Sequence, residues 1–202
     1  VGKSRHLSPI PKLHPNKTIV IIAGGPSVTQ ADVDLTKEQV VIVINDAYQI
    51  APWATYQYFC DKTWHQWHKD KPAYQMFEGL KLTQEKDIPG TLHVTGKTGK
   101  GLSESPERIH FGQNSGFQAL NLAVHFGASR ILLLGYDMKF GENGLAHWFG
   151  DHPNNVRSNY PAWLSNFSIA ADQIKERGIE VINCSRDTAL RCFKQKLITD
   201  IL

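Results

Sequence analysis

Residues Ser115–Asp137 read SGFQALNLAVHFGASRILLLGYD, and the reading of the fold starts from them. Ser115 can cap a helix, and Phe117, Leu120, Leu122, Ala123 and Phe126 give that helix a nearly continuous apolar surface, as a buried helix requires. Gly127 stops it, and Arg130–Leu134 (RILLL) is a short apolar run suited to a strand covered on both faces. Gly135-Tyr136-Asp137 ends that strand on a turn. One helix feeding one buried strand is half of a parallel βαβ unit.

Working outward, the same alternation recurs. Thr18–Ala23 (TIVIIA), Val40–Ile44 (VVIVI), Thr55–Cys60 (TYQYFC), Thr91–Val94 and Ile179–Asn183 (IEVIN) read as further strands. A short helix is expected after the first, and an amphipathic helix spans Trp163–Arg177, closed by Gly178. Strands alternating with helices predict an α/β fold: a Rossmann-like, doubly wound, mostly parallel sheet in a single domain. Residues 1–17 carry three prolines and no apolar period, so they read as an N-terminal arm before a single domain of residues 18–202. Gly96–Glu107 is rich in Gly, Lys and Ser and reads as a mobile loop.

The chain has 202 residues, 41% hydrophobic and 20% charged, with a formal net charge of +3. That composition is globular, and its mild basic excess suits an anionic ligand without indicating nucleic acid. Cys60, Cys184 and Cys192 have no metal-type spacing and read as buried free thiols. With no signal-peptide pattern or membrane span, a cytoplasmic setting is expected, and an oligomer is left open.

Ligands of open α/β sheets bind beyond the carboxyl ends of the strands. The residues falling there are Gly24-Gly25-Pro26-Ser27, Asn45-Asp46, Asp61, Asp137 and Ser185, with Ser115 and Gly116 at a helix start. In the GGPS turn two glycines permit close backbone approach, and Ser27 is read as opening a helix whose free N–H groups suit phosphate. No lysine follows, and the GxGxxG spacing is absent, so a purely structural turn explains the motif equally well. The insertion Met138–Tyr160 contains HWFGDH, where His147, Asp151 and His152 can supply a general base oriented by an acid, or can be aromatic anchors of a surface loop. His65 and His68 have a spacing that permits metal binding, but no further ligand cluster accompanies them, so no metal site is assigned.

Taken in order, TIVIIAGGPSV, VIVINDAY, NSGFQALNLAVHFGASRILLLGYDM, HWFGDH and NCSRDTALRCF resemble the bacterial sialyltransferases of glycosyltransferase family 42. They also resemble the related domain family of MptE-like 6-hydroxymethylpterin pyrophosphokinases, and the chain is similar in appearance to phage-encoded proteins. The resemblance implies a glycosyltransferase that moves a sugar from a nucleotide-sugar donor to a hydroxyl acceptor. Gly25, Pro26 and Ser27 would lie against the donor, Asn45 would bond the nucleotide, and Ser115 with Gly116 would border it. It places the base at Asp151 or His152; His152 is preferred, with His147 in reserve. Asp61 stands where the sialyltransferases tend to have Asn, which leaves two alternatives: an ATP- and Mg²⁺-dependent pyrophosphokinase acting on a small alcohol, or a nucleotide-binding module without catalysis. No cofactor is obligatory in the first case; in the second, Asp61 and Asp137 could recruit Mg²⁺. The acceptor is a glycan or, given the likeness to phage-encoded proteins, a hydroxymethylated base in DNA, whose backbone phosphates Lys69, Lys71, Lys97 and Lys100 would then meet; otherwise that basic loop is a solvated surface.

Overall fold

A computed structural model describes residues 5–142, 144–150 and 158–202. Nine strands form one sheet: β1 (Arg5–His6), β2 (Thr18–Ile22), β3 (Val40–Ile44), β4 (Tyr56–Phe59), β5 (Leu80–Thr83), β6 (Thr91–His93), β9 (Arg130–Leu134), β10 (Glu180–Asn183) and β11 (Lys194–Gln195). A separate pair, β7 (Gly96–Lys97) and β8 (Ile109–His110), lies in sequence between β6 and β9. The large sheet runs β1-β6-β5-β4-β3-β2-β9-β10-β11. Every neighbouring pair in it is parallel.

The alternation of side chains explains the layers. Ile19, Ile21, Ile42, Ile131 and Leu133 point to one face, where they pack with Phe117, Leu120, Phe126, Phe167 and Ile174. These last belong to α4 (Ser115–His125), its C-terminal cap Phe126 and α5 (Tyr160–Glu176). Val20, Ile22, Val41, Val43, Leu132 and Leu134 point to the other face and meet Val33, Tyr48, Trp64 and Tyr74. Those residues come from α1 (Gln30–Asp34), a 3₁₀ turn at Asn45–Gln49, α2 (Lys62–His68) and α3 (Pro72–Gln75). Strands covered on both faces read as unbroken apolar runs, which is why the central ones are legible in the sequence.

The chain winds from β2 outward to β6, then crosses back through α4 to β9 on the opposite side of β2. The direction of winding reverses between β2 and β9, and that switch point opens a crevice at the carboxyl ends.

Three local differences from the sequence expectation have clear causes. α4 is capped by Asn114, whose side chain accepts from Phe117 N at 2.9 Å, so Ser115 is its first helical residue. The helix expected at Ser27 begins at Gln30 with Thr29 as cap and is five residues long. Residues 96–107 are tied to the body of the protein: Leu102 N donates to Gln173 Oε1 at 2.6 Å, and Ser103 N donates to Asn121 Oδ1 at 2.9 Å. In the arm, Arg5 and His6 add a parallel edge strand beside β6, and Ile10 is buried.

Candidate nucleotide site

A cavity of about 300 Å³ lies over the carboxyl ends of β2, β3, β4 and β9. It gathers Gly24, Gly25, Asn45, Asp61, Ser115, Gly116, Asp137 and His147 from the expected residues. Pro26, Ser27, Asp46 and Ser185 do not line it, and Asp151 and His152 lie outside the described residues.

At the switch point the two strand-ending turns grip one another. Gly25 N donates to Gly135 O at 3.0 Å. Ser27 N and Ser27 Oγ donate to the two carboxylate oxygens of Asp137, each at 2.7 Å. A Cβ on Gly25 would stand 2.4 Å from Gly135 O and 2.5 Å from Asp137 Oδ1. The glycine is therefore required by the chain's own packing, and the Ser27 donors assigned to a phosphate are spent on Asp137. Burial pushes the Asp137 carboxyl up to about 6, against the opposing pull of the Ser27 bonds. Gly24 faces the insertion instead: a Cβ there would meet His147 Nδ1 and Phe149 Cε1 at 3.1 Å, and Gly24 O accepts from Trp148 N at 3.0 Å. The His147 and Phe149 rings stack at 4.8 Å with 3° between their planes.

Asn45 follows β3 with a φ of 49°, in the left-handed region that asparagine tolerates better than most residues. Its side-chain oxygen is buried without a hydrogen-bond partner among the described residues. Such an acceptor costs free energy until a donor meets it. Asp46, the next residue, turns into the core: Oδ2 accepts from Trp64 Nε1 at 2.8 Å, and Oδ1 accepts from Gln49 Nε2 at 3.0 Å and lies 3.3 Å from His68 Nε2. His68 Nδ1 in turn meets the Tyr48 hydroxyl at 2.8 Å, and the ring stacks on Trp64 at 4.2 Å. This network fixes Trp64 in the cavity wall and places Asp46 and His68 in structural roles.

Asp61 caps α2, accepting from Thr63 N at 2.7 Å. Ser115 Oγ lies 3.0 Å from Cys60 Sγ. Gly116 is confined by Asn114 Oδ1 and Tyr136, whose hydroxyl donates to Gly116 O at 3.0 Å. Ser185 Oγ accepts from Tyr136 N at 2.7 Å beneath the site. Both carboxylates considered for Mg²⁺, Asp61 and Asp137, thus already serve the chain's own amides. Among the described residues, no group of three or more His, Cys, Asp or Glu could hold a metal ion.

The cavity also contains residues that sequence reasoning missed: Trp64, Trp67, Tyr160 and Trp163, with Lys139 at its edge. In sequence these are aromatic residues of amphipathic segments, indistinguishable from core anchors. Tyr160 meets Trp163 edge-on at 5.4 Å, and burial raises its hydroxyl pKa. An aromatic wall facing hydrogen-bonding groups suits a base or sugar face.

No protein-family model and no curated protein sequence matches the chain. Among solved structures, the fold is similar to the sialyltransferase CstII from Campylobacter jejuni, determined in complex with a substrate analogue, cytidine-5'-monophosphate. The TM-score is 0.55 at 16% sequence identity, over 90% of this chain and 85% of that one. The likeness establishes a shared α/β architecture. Among the described residues, no helix is long and apolar enough to cross a membrane.

Proposed function

We propose that the protein is a glycosyltransferase that binds a nucleotide-sugar donor in the switch-point cavity and passes the sugar to a hydroxyl acceptor. The observation that carries the reading is Asn45: a strained residue after a central strand, with a buried, unpartnered acceptor at a cavity walled by aromatics. Its oxygen would accept from an amino or hydroxyl group of the nucleotide. The fold shared with a protein solved with cytidine-5'-monophosphate supports the same reading.

The first turn of α4 borders the cavity at Ser115 and Gly116. Helix-start amides there would meet the donor phosphate and the negative charge that grows on it as the sugar departs. The acceptor oxygen would bond to the anomeric carbon as the bond from that carbon to the phosphate oxygen breaks. Its proton would pass to a histidine of the insertion, His152 or, at the cavity, His147. Asp151 would orient the imidazole. No metal or organic cofactor is required by this scheme.

The test is a thermal-shift and calorimetric comparison of CMP, UDP, GDP and their sugar conjugates with ATP plus Mg²⁺, since a ligand that binds only the folded state raises its stability. Stabilisation by one nucleotide sugar, followed by transfer to a hydroxyl acceptor, is the expected result. Stabilisation by ATP with Mg²⁺ alone would overturn it in favour of pyrophosphoryl transfer, and binding without turnover would reduce the protein to a binding module.

A further inference from the structure

Gln57 is an amide in a place suited to an apolar side chain. It lies on β4 between Tyr56 and Tyr58, opposite Val43 on β3, and is wholly buried. Alternation along the strand turns it away from Tyr56 and Tyr58 and onto the face of Val43 and Phe59, in the apolar layer beneath α1, α2 and α3. Its Nε2 reaches toward the carboxyl end of β3 and donates to Asn45 O at 3.3 Å. Its Oε1 is buried without a hydrogen-bond partner among the described residues.

As a purely structural device this is unfavourable. A buried acceptor without a donor costs more than one neutral hydrogen bond contributes, and an apolar side chain of similar volume would avoid the cost. Nor does Asn45 O depend on Gln57 for a partner. Asn45 opens the 3₁₀ turn Asn45–Gln49, whose i→i+3 pattern offers that carbonyl a backbone amide. What the Gln57 contact fixes is direction. Asn45 has a φ of 49°, a conformation that costs free energy and persists only where its surroundings over-determine it. Two anchors bracket the peptide bond that follows it. Gln57 holds the carbonyl oxygen, and Asp46, on the amide side, is held by Trp64 and Gln49. With that peptide fixed, the Asn45 side chain is presented at the cavity wall, its oxygen unpartnered among the described residues. A local rule broken against stability, beside a strained residue of the site, marks a functional constraint.

We propose that Gln57 is a positioning residue: through Asn45 O it holds the Asn45 carboxamide in the orientation that receives the nucleotide, at a net cost to stability. Gln57 is not among the residues that line the cavity, so it acts only through Asn45. The role rests on the nucleotide reading of the switch-point cavity.

The experiment compares wild type, Gln57→Met, Gln57→Leu, Asn45→Gly and the Gln57→Met/Asn45→Gly double variant in thermal unfolding and in calorimetric titrations with CMP, UDP, GDP and ATP. Methionine is unbranched and close to glutamine in length, so it fills the same space, and leucine repeats the test with another shape. Both should melt about 2–4 °C above wild type, yet bind the tightest of the four nucleotides about threefold to tenfold more weakly. In the free protein, the NMR shifts of Asn45 Cα and Cβ should move away from left-handed values in Gln57→Met. The affinity loss should vanish in the Asn45→Gly background, because no carboxamide is left to position. Melting temperatures at or below wild type in both variants, unchanged nucleotide affinity, or a loss that adds to that of Asn45→Gly overturns the role. Failure of the nucleotide reading looks different: Asn45→Gly then binds as tightly as wild type, or wild type binds none of the four, and the positioning role falls with it.

Discussion

Asp137→Asn separates the electrostatic cost of the switch point from its hydrogen bonds. The Asp137 carboxyl is 3% exposed and receives two donors from Ser27. An asparagine in the same rotamer keeps both contacts, its oxygen accepting from Ser27 N and its amide donating to a reoriented Ser27 hydroxyl. What it removes is ionisation. Burial raises this carboxyl from 3.8 to about 6, so the folded state holds its proton more tightly than the unfolded state. The sign follows: the group costs nothing below about pH 4, and its ionisation destabilises the fold progressively as pH rises through about 6. At about 1.4 kcal/mol per pH unit, the penalty levels off near about 3 kcal/mol above that point. Urea unfolding of wild type and Asp137→Asn at intervals between pH 4 and pH 7.5 measures it, since titrations shared by both proteins cancel in the difference. The variant should gain about 3 kcal/mol relative to wild type between the acid and neutral ends. A difference that stays flat with pH, or one that favours wild type toward neutrality, would show that Asp137 ionises at no cost and would refute the account of a carboxylate whose burial outweighs the Ser27 bonds and the Lys139 charge.

Other substitutions probe the remaining contacts. Gly25→Ala places a Cβ 2.4 Å from Gly135 O and 2.5 Å from Asp137 Oδ1, and should destabilise the protein by about 2–4 kcal/mol in urea titrations; a wild-type midpoint would mean the two turns are not locked together. Asn45→Gly keeps the left-handed backbone and deletes the carboxamide, so nucleotide affinity should fall by about 1–3 kcal/mol at unchanged melting temperature. Equal calorimetric affinities would put the nucleotide elsewhere. For the base, His152→Ala should lower turnover by about 10²–10⁴-fold with donor affinity retained, and the wild-type rate should fall as pH drops through the histidine range. A larger loss in His147→Ala would transfer the role to His147, and a loss confined to Asp151→Asn would make the carboxylate the base.

Much of the architecture was written locally. The apolar runs TIVII, VVIVI and RILLL suit strands buried on both faces, as in a parallel sheet, and β2, β3 and β9 are those strands. Gly127 and the apolar helix before it set α4 and its stop, because a left-handed residue ends a helix wherever it stands. β5 was missed because LKLT sets Lys81 beside an exposed Leu80 and so lacks the unbroken apolar run that marks the central strands. The site was legible as a set of strand ends and opaque in its division of labour. Asn45 and Asp46 are sequence neighbours of similar chemistry, yet one borders the cavity with an unpaired oxygen and the other is consumed by Trp64, Gln49 and His68. Ser27 looked like a phosphate donor until Asp137, 110 residues away, claimed both of its hydrogens. Likewise Gln57 reaches Asn45 only because β4 pairs with β3. Backbone period and turn chemistry act over a few residues, so the sequence alone determines them. Which polar atom keeps a free lone pair is decided by competition among groups far apart in the chain, and that outcome exists only once the sheet has brought them together.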